Sequence, residues 1–160
     1  MGTAIVCFAS MAPLVAPPES NPAADAALAD PLHPDLLARL RDALGPAIED
    51  SGMAYTWAKR GVHQFVQREA IALGRRGARI CSVSPGIIDT PMGRQEAATH
   101  SAMQTMVELT PLGREGRAEE VAGAAAFLLS DQASFISGID VLVDGGVVAA
   151  VRHARVQFGT

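Results

Sequence analysis

Three short apolar runs constrain this chain more than any other feature. Ala4-Ile5-Val6-Cys7-Phe8-Ala9, Arg79-Ile80-Cys81-Ser82-Val83 and Ile139-Asp140-Val141-Leu142-Val143 have the length and β-branched content of buried strands. Two of them are nearly continuous rather than alternating, the pattern of strands covered on both faces, as parallel strands are. Helical periodicity precedes the second run, from Tyr55 to Leu73, and the third, from Ala118 to Leu129. Strands joined through helices return to the same end of the sheet and so lie parallel, which predicts α/β architecture. The handedness of such crossovers brings the segments after the first two strands, Ser10-Met11-Ala12 and Ser84-Pro85-Gly86, to one edge, where open parallel sheets bind ligands.

Between the first run and the Tyr55 helix lies a segment rich in Pro, Ala and Asp, from Pro17 to Asp50, which reads as an insertion. Asn21-Pro22 is a helix start, with a capping side chain and proline at the first helical position. His33-Pro34-Asp35 starts a second helix, whose Leu36, Leu37, Leu40 and Leu44 form an apolar stripe before Gly45-Pro46 ends it. The stripe can cap the core, or the pair can form a lid over the carboxyl edge of the sheet, since long loops there carry function.

Composition removes several classes of function. The 160 residues are 49% hydrophobic with a mean hydropathy of +0.20, enough for one folded domain. The formal charge is −4, and the 13 Lys and Arg are scattered, with no basic stretch longer than Arg75-Arg76, so no nucleic-acid partner is expected. Cys7 and Cys81 sit in apolar segments and read as small core side chains of a reducing compartment. No apolar run approaches the ~18 residues of a membrane span and no basic-then-apolar leader is present, so the expected location is cytoplasmic, away from membranes. His33, His63, His100 and His153 lack metal-ligand spacing and read as packed or solvated; no metal site is expected. Neither Ser10 nor Ser84 sits in a Gly-x-Ser-x-Gly nucleophile elbow.

Tyr55 and Lys59 carry the chemistry. Four residues apart in Ala54-Tyr55-Thr56-Trp57-Ala58-Lys59, their side chains leave one helical face one turn apart. A free phenol titrates near pH 10 and is a poor base at neutrality, whereas an adjacent ammonium favours the phenolate and brings proton transfer within reach. The same spacing also occurs on ordinary helices, so the surrounding motifs decide. Trp57, beside Tyr55 in sequence, is expected to report on anything bound there.

Those motifs are Ser10 at a strand end, Tyr55-Thr56-Trp57-Ala58-Lys59, Ser84-Pro85-Gly86-Ile87-Ile88-Asp89-Thr90-Pro91-Met92, Pro111-Leu112-Gly113-Arg114 with Glu119-Glu120-Val121-Ala122, and Val143-Asp144-Gly145-Gly146. In this order, from Gly2 to about Val148, the chain resembles the short-chain dehydrogenase/reductase family. The resemblance implies a Rossmann-like fold and NAD or NADP as cofactor. It makes Tyr55 the general acid/base, Lys59 the group that lowers the phenol's pKa and holds the nicotinamide ribose, and Ser10 the hydroxyl that polarises the substrate oxygen. Pro85, Gly86, Ile88 and Thr90 match positions around the nicotinamide carboxamide. The amphipathic segment Ser101 to Leu109, with Met103, Met106, Val107 and Leu109, matches a region that closes over substrate. The implied substrate is a small-molecule alcohol or ketone, steroid-like if the insertion forms an apolar lid, and the implied assembly is a homo-oligomer.

The departures are as informative. Ser10 and Tyr55 are 45 residues apart, against about a dozen in most of the family. The 17–50 insertion accounts for the difference, as in some hydroxysteroid dehydrogenase and carbonyl reductase relatives. The strand, glycine-rich turn and helix N-terminus that hold a dinucleotide pyrophosphate are not found before Ser10, and Gly74-Arg75-Arg76-Gly77 follows a helix rather than a strand. The chain thus reads as the carboxyl-terminal portion of a single dehydrogenase domain over residues 1–160, with a tail over 149–160 and the amino-terminal dinucleotide-binding half absent. Its first strand is expected at an open edge, and by itself it is expected to be weakly active or inactive. The alternative is a non-catalytic remnant or subunit that associates with another chain.

Overall fold

The computed structural model of the protein describes residues 2–91, 93–94 and 101–158. In chain order, β1 (Ala4–Phe8) runs through Ser10 into one turn of helix, α1 (Ala12–Val15). The insertion supplies α2 (Pro22–Leu28), α3 (Leu36–Leu44) and a 3-10 turn over Gly45–Glu49, and the long α4 (Ser51–Gly74) leads to β2 (Arg79–Pro85). Then follow β3 (Ile88–Asp89), α5 (Ser101–Leu109), β4 (Gly116–Arg117), α6 (Ala118–Leu129), a 3-10 turn over Asp131–Ala133, β5 (Asp140–Val143) and α7 (Val147–Phe158).

The three apolar runs form one parallel sheet in the order β1-β2-β5, with Val6 opposite Cys81 and Ser84 opposite Leu142. Central position explains the continuous apolar pattern of β2, whose residues 80–84 are all buried. Strand alternation divides them. Cys81 and Val83 pack on Val121, Ala125 and Leu128 of α6, while Ser82 and Ser84 turn to the face covered by α4. Among the described residues no strand pairs with the outer side of β1, and Phe8 at its end is 54% exposed.

The insertion builds a second apolar cluster of its own. Asn21 caps α2 by accepting from the Ala24 N–H at 3.0 Å, and its amide donates to the Ala43 carbonyl at 2.8 Å, tying α2 to the end of α3. Ala24, Ala27, Leu40 and Trp57 are buried together, with Leu28, Leu36 and Leu44 around them. Leu37, expected in the stripe, is 66% exposed, because the contact surface is narrower than four leucines. The pair of helices is clasped to α4 by Asp25, which accepts from Arg60 Nε and Nη2 at 2.7 and 2.9 Å and from Gln64 Nε2 at 2.7 Å. The helices approach so closely that a Cβ at Gly61 would stand 3.2 Å from Leu28 Cδ2. Residues 149–158, expected in a tail, belong to α7; Asp144 starts that helix by accepting from Gly146 and Val148 N–H, each at 2.9 Å.

Candidate active site

The expected convergence of strand ends is present, with Met11 N–H donating to the Pro85 carbonyl at 3.2 Å. Beside it opens a cavity of about 390 Å³ lined by Tyr55, Phe8, Pro85, Gly86, Ile88 and Thr90, among others. Five of the residues singled out in the sequence therefore line one cavity. Met103 of α5 and Val121 of α6 add apolar surface to its lining. No residue of 17–50 lines this cavity; the insertion borders a separate space of about 610 Å³ between residues 16–21, the end of α3, and Met53, Thr56 and Trp57.

Tyr55 is 49% exposed, with its ring facing the cavity from the first third of α4. The Lys59 ammonium lies 5.6 Å from the ring centroid and donates to the Phe8 carbonyl at 2.9 Å. An ammonium has three N–H donors, so two remain for a ligand. Ser10 is 8% exposed, and its Oγ accepts from Ala12 N–H at 3.2 Å, as at a strand-end turn. That bond uses a lone pair and leaves the hydroxyl proton free to donate. Ser10 and Lys59 flank the cavity without belonging to its lining. Thr90 Oγ1 accepts from Gly93 N–H at 3.0 Å, and among the described residues its proton has no acceptor. Met92, of the same motif, and His100 lie outside the described residues.

Gly86 is required by the strand ends. Its N–H donates to the Val143 carbonyl at 3.0 Å, and a Cβ there would stand 2.6 Å from Asp144 Cα. On the other side of Ile87 and Ile88, Glu120 accepts from Arg114 Nη1 and Nη2 at 2.9 and 2.7 Å and from Arg117 N–H at 2.7 Å. The Arg114 guanidinium and the Arg117 N–H hold its carboxyl down to about 2.

One expectation here needs correction. Trp57 is buried against the insertion, with Arg60 stacked 5.4 Å over its ring, because residues two apart on a helix point to nearly opposite faces. It reports on the packing of the insertion, not on the Tyr55 cavity. His63, read as packed or solvated, is packed, and its partners are polar: its Nε2 lies 2.9 Å from Ser84 Oγ and 3.4 Å from Asp140 Oδ1. The unusual serines in a core strand were the available signal. Among the described residues no group of three or more His, Cys, Asp or Glu could hold a metal ion, and no helix is long and apolar enough to cross a membrane.

A parallel three-stranded sheet with a Tyr–Lys pair at its carboxyl edge defines a Rossmann-like α/β protein. The family model described as enoyl-(acyl carrier protein) reductase matches residues 44–148. The chain is 45% identical over 93 residues to an L-rhamnose 1-dehydrogenase (NAD(P)(+)) of Sphingomonas sp. strain SKA58, covering 58% of this chain and 37% of that protein. It is 38% identical over 105 residues to 3beta-hydroxysteroid dehydrogenase 1 of Eggerthella lenta, covering 66% and 39%. Among solved structures, the 3-alpha-hydroxysteroid dehydrogenase of Pseudomonas sp. B-0831 complexed with NADH superposes with a TM-score of 0.77 at 32% identity, covering 94% of this chain and 57% of that one. The chain belongs to the short-chain dehydrogenase/reductase family. It spans roughly two fifths of the length of those two curated relatives. The family match begins at residue 44, and the structural likeness covers 94% of the chain.

Proposed function

We propose that this chain forms the catalytic portion of an NAD(P)-dependent oxidoreductase that interconverts an alcohol and a ketone. The observation that carries the reading is the shared cavity, in which Tyr55, backed by Lys59, faces Pro85, Gly86, Ile88 and Thr90. NAD or NADP, when bound, supplies or accepts the hydride. The residues fit its nicotinamide end: apolar walls at Phe8, Ile87 and Val121 for the ring, the Thr90 hydroxyl for the carboxamide, and two free Lys59 N–H donors for ribose hydroxyls. Tyr55 exchanges a proton with the substrate oxygen. Ser10, with its hydroxyl proton unspent, donates to the same oxygen as negative charge develops there. The apolar walls favour a hydrophobic, steroid-like substrate. We place the protein in the cytoplasm as a homo-oligomer.

A second reading is a non-catalytic subunit or remnant that associates with another chain. The outer side of β1, which no strand pairs among the described residues, and the exposed Phe8 favour it. The two readings separate on titration with NADH and NADPH, followed by nicotinamide emission, and on turnover of secondary alcohols, with and without an amino-terminal dinucleotide-binding half. Saturable binding and turnover that disappears in Tyr55→Phe support the enzyme. A stable small oligomer in sizing chromatography, with no cofactor binding under either condition, supports the subunit.

A further inference from the structure

The face of α4 that carries Tyr55 and Lys59 continues, at the same four-residue interval, to His63, and one turn further to the buried Val66. Lys59 and His63 are each anchored to a different strand. Lys59 donates to the Phe8 carbonyl at the end of β1. His63 meets Ser84 of β2 at 2.9 Å. Ser82 and Ser84, both without solvent exposure, donate to Asp140 Oδ1 of β5 at 2.6 and 2.9 Å.

Proton bookkeeping orders the cluster. Ser84 has a single hydroxyl proton, which goes to Asp140, so its oxygen accepts from His63 Nε2–H. Burial would raise the Asp140 carboxyl, but His63, Ser82 and Ser84 more than offset it and hold the group below its ordinary range, as an ionised acceptor. Among the described residues no buried side-chain nitrogen or oxygen lacks a partner. A fully satisfied network of this kind fixes one geometry, whereas the apolar contacts of Val66 tolerate sliding.

We propose that His63 is a positioning residue for the Tyr55–Lys59 site, acting through Ser84 and Asp140. Ser84 precedes Pro85 and Gly86, which line the cavity that Tyr55 faces. The bond therefore closes a ring: from Tyr55 along two turns of α4 to His63, across to Ser84, and back through Pro85 and Gly86 to the cavity. Tyr55 and His63 are eight residues apart, about 12 Å along the helix. Removing the bond frees α4 to shift along its axis or to rotate, and an error of about 1 Å at a reacting group is worth about a hundredfold in rate. This inference rests on the oxidoreductase reading.

Tyr55 is the only tyrosine in the chain, so 3-fluorotyrosine labelling yields one fluorine resonance from the site itself, whether or not the chain turns over. The variants are His63→Leu, which removes the donor; His63→Gln, whose amide can still donate to Ser84; and Ser84→Ala, which empties the middle of the network should His63→Leu fail to fold. The expected result is a single sharp line in wild type and His63→Gln, and a displaced or split line in His63→Leu and Ser84→Ala. In turnover per folded molecule, His63→Leu is expected to lose about tenfold to a hundredfold in kcat, with nicotinamide binding little changed and with recovery in His63→Gln. An unchanged fluorine line in His63→Leu and Ser84→Ala, or in Ser84→Ala alone if His63→Leu does not fold, overturns the inference. So does a His63→Gln line as disturbed as that of His63→Leu. Absence of cofactor binding by the wild type, alone and with an amino-terminal half, overturns the oxidoreductase reading instead, and the fluorine line keeps the two failures apart.

Discussion

The clasp between the insertion and α4 is open to a quantitative test through Asp25→Asn. Asp25 accepts three hydrogen bonds, two from the Arg60 fork and one from Gln64, and both members of the ion pair keep just over a quarter of their side-chain surface in solvent. An exposed pair would contribute less than about 1 kcal/mol, whereas charge-assisted, forked bonds with partial burial contribute more; discounting for the solvent that still reaches them, we expect a loss of about 2 kcal/mol. That is a factor of roughly 30 in the equilibrium for opening the insertion. The reporter is built in: Trp57, the only tryptophan, is buried in the same cluster beneath Arg60. Urea unfolding followed by Trp57 emission should show the loss at pH 7. Acid supplies an independent check. The Arg60 hydrogen bond is the main cause that holds the Asp25 carboxyl below its ordinary value. A depressed folded value means stability that is present above the unfolded value, near 3.9, and is lost as the pH falls through the folded one. The gap between wild type and Asp25→Asn should therefore shrink as the pH drops below about 4. A gap under about 0.5 kcal/mol at pH 7, or one that persists unchanged into acid, refutes the reasoning.

Tyr55→Phe should lower turnover by about a hundredfold or more while nicotinamide binding, read by fluorescence titration, stays near the wild-type value; equal loss of both would make Tyr55 a binding residue only. Gly86→Ala drives a Cβ to 2.6 Å from Asp144 Cα, which should destabilise by about 1–3 kcal/mol in thermal unfolding. Asp144→Ala removes both acceptors at the start of α7, and the loss should be about 1 kcal/mol, seen as faster amide exchange in that helix. The Glu120 carboxyl, held by Arg114, should titrate near pH 2 in a carboxyl NMR experiment, so its pairing persists through mild acid and is lost as the pH falls through that value; a midpoint near 4 would show that the fork does not form in solution.

What could be read from the residues alone was whatever depends on near neighbours in the chain. The α/β order, the parallel strands, the stop and start signals at Asn21 and Gly45, and the Tyr55–Lys59 face all follow from periodicities of two and 3.6 residues and from local capping. The motif order from Ser84 to Gly146 was equally legible, because each piece is a short contiguous turn. Even there, locality had limits. Leu37 has the spacing of a stripe that has no room for it, and Trp57 is near Tyr55 in sequence although the helix turns them apart.

The tertiary structure decided which polar groups meet. Asp25 finds Arg60 across 35 residues, Ser84 finds Asp140 across 56, and His63 finds Ser84 across 21. A buried hydrogen bond is worth little until both partners are brought within about 3 Å at the right angle, and no pattern along the chain records which distant donor will arrive. Hydrophobic periodicity survives as a signal because any apolar neighbour satisfies it. Polar partnership is particular, so it becomes visible only when the strands and the long helix are in register.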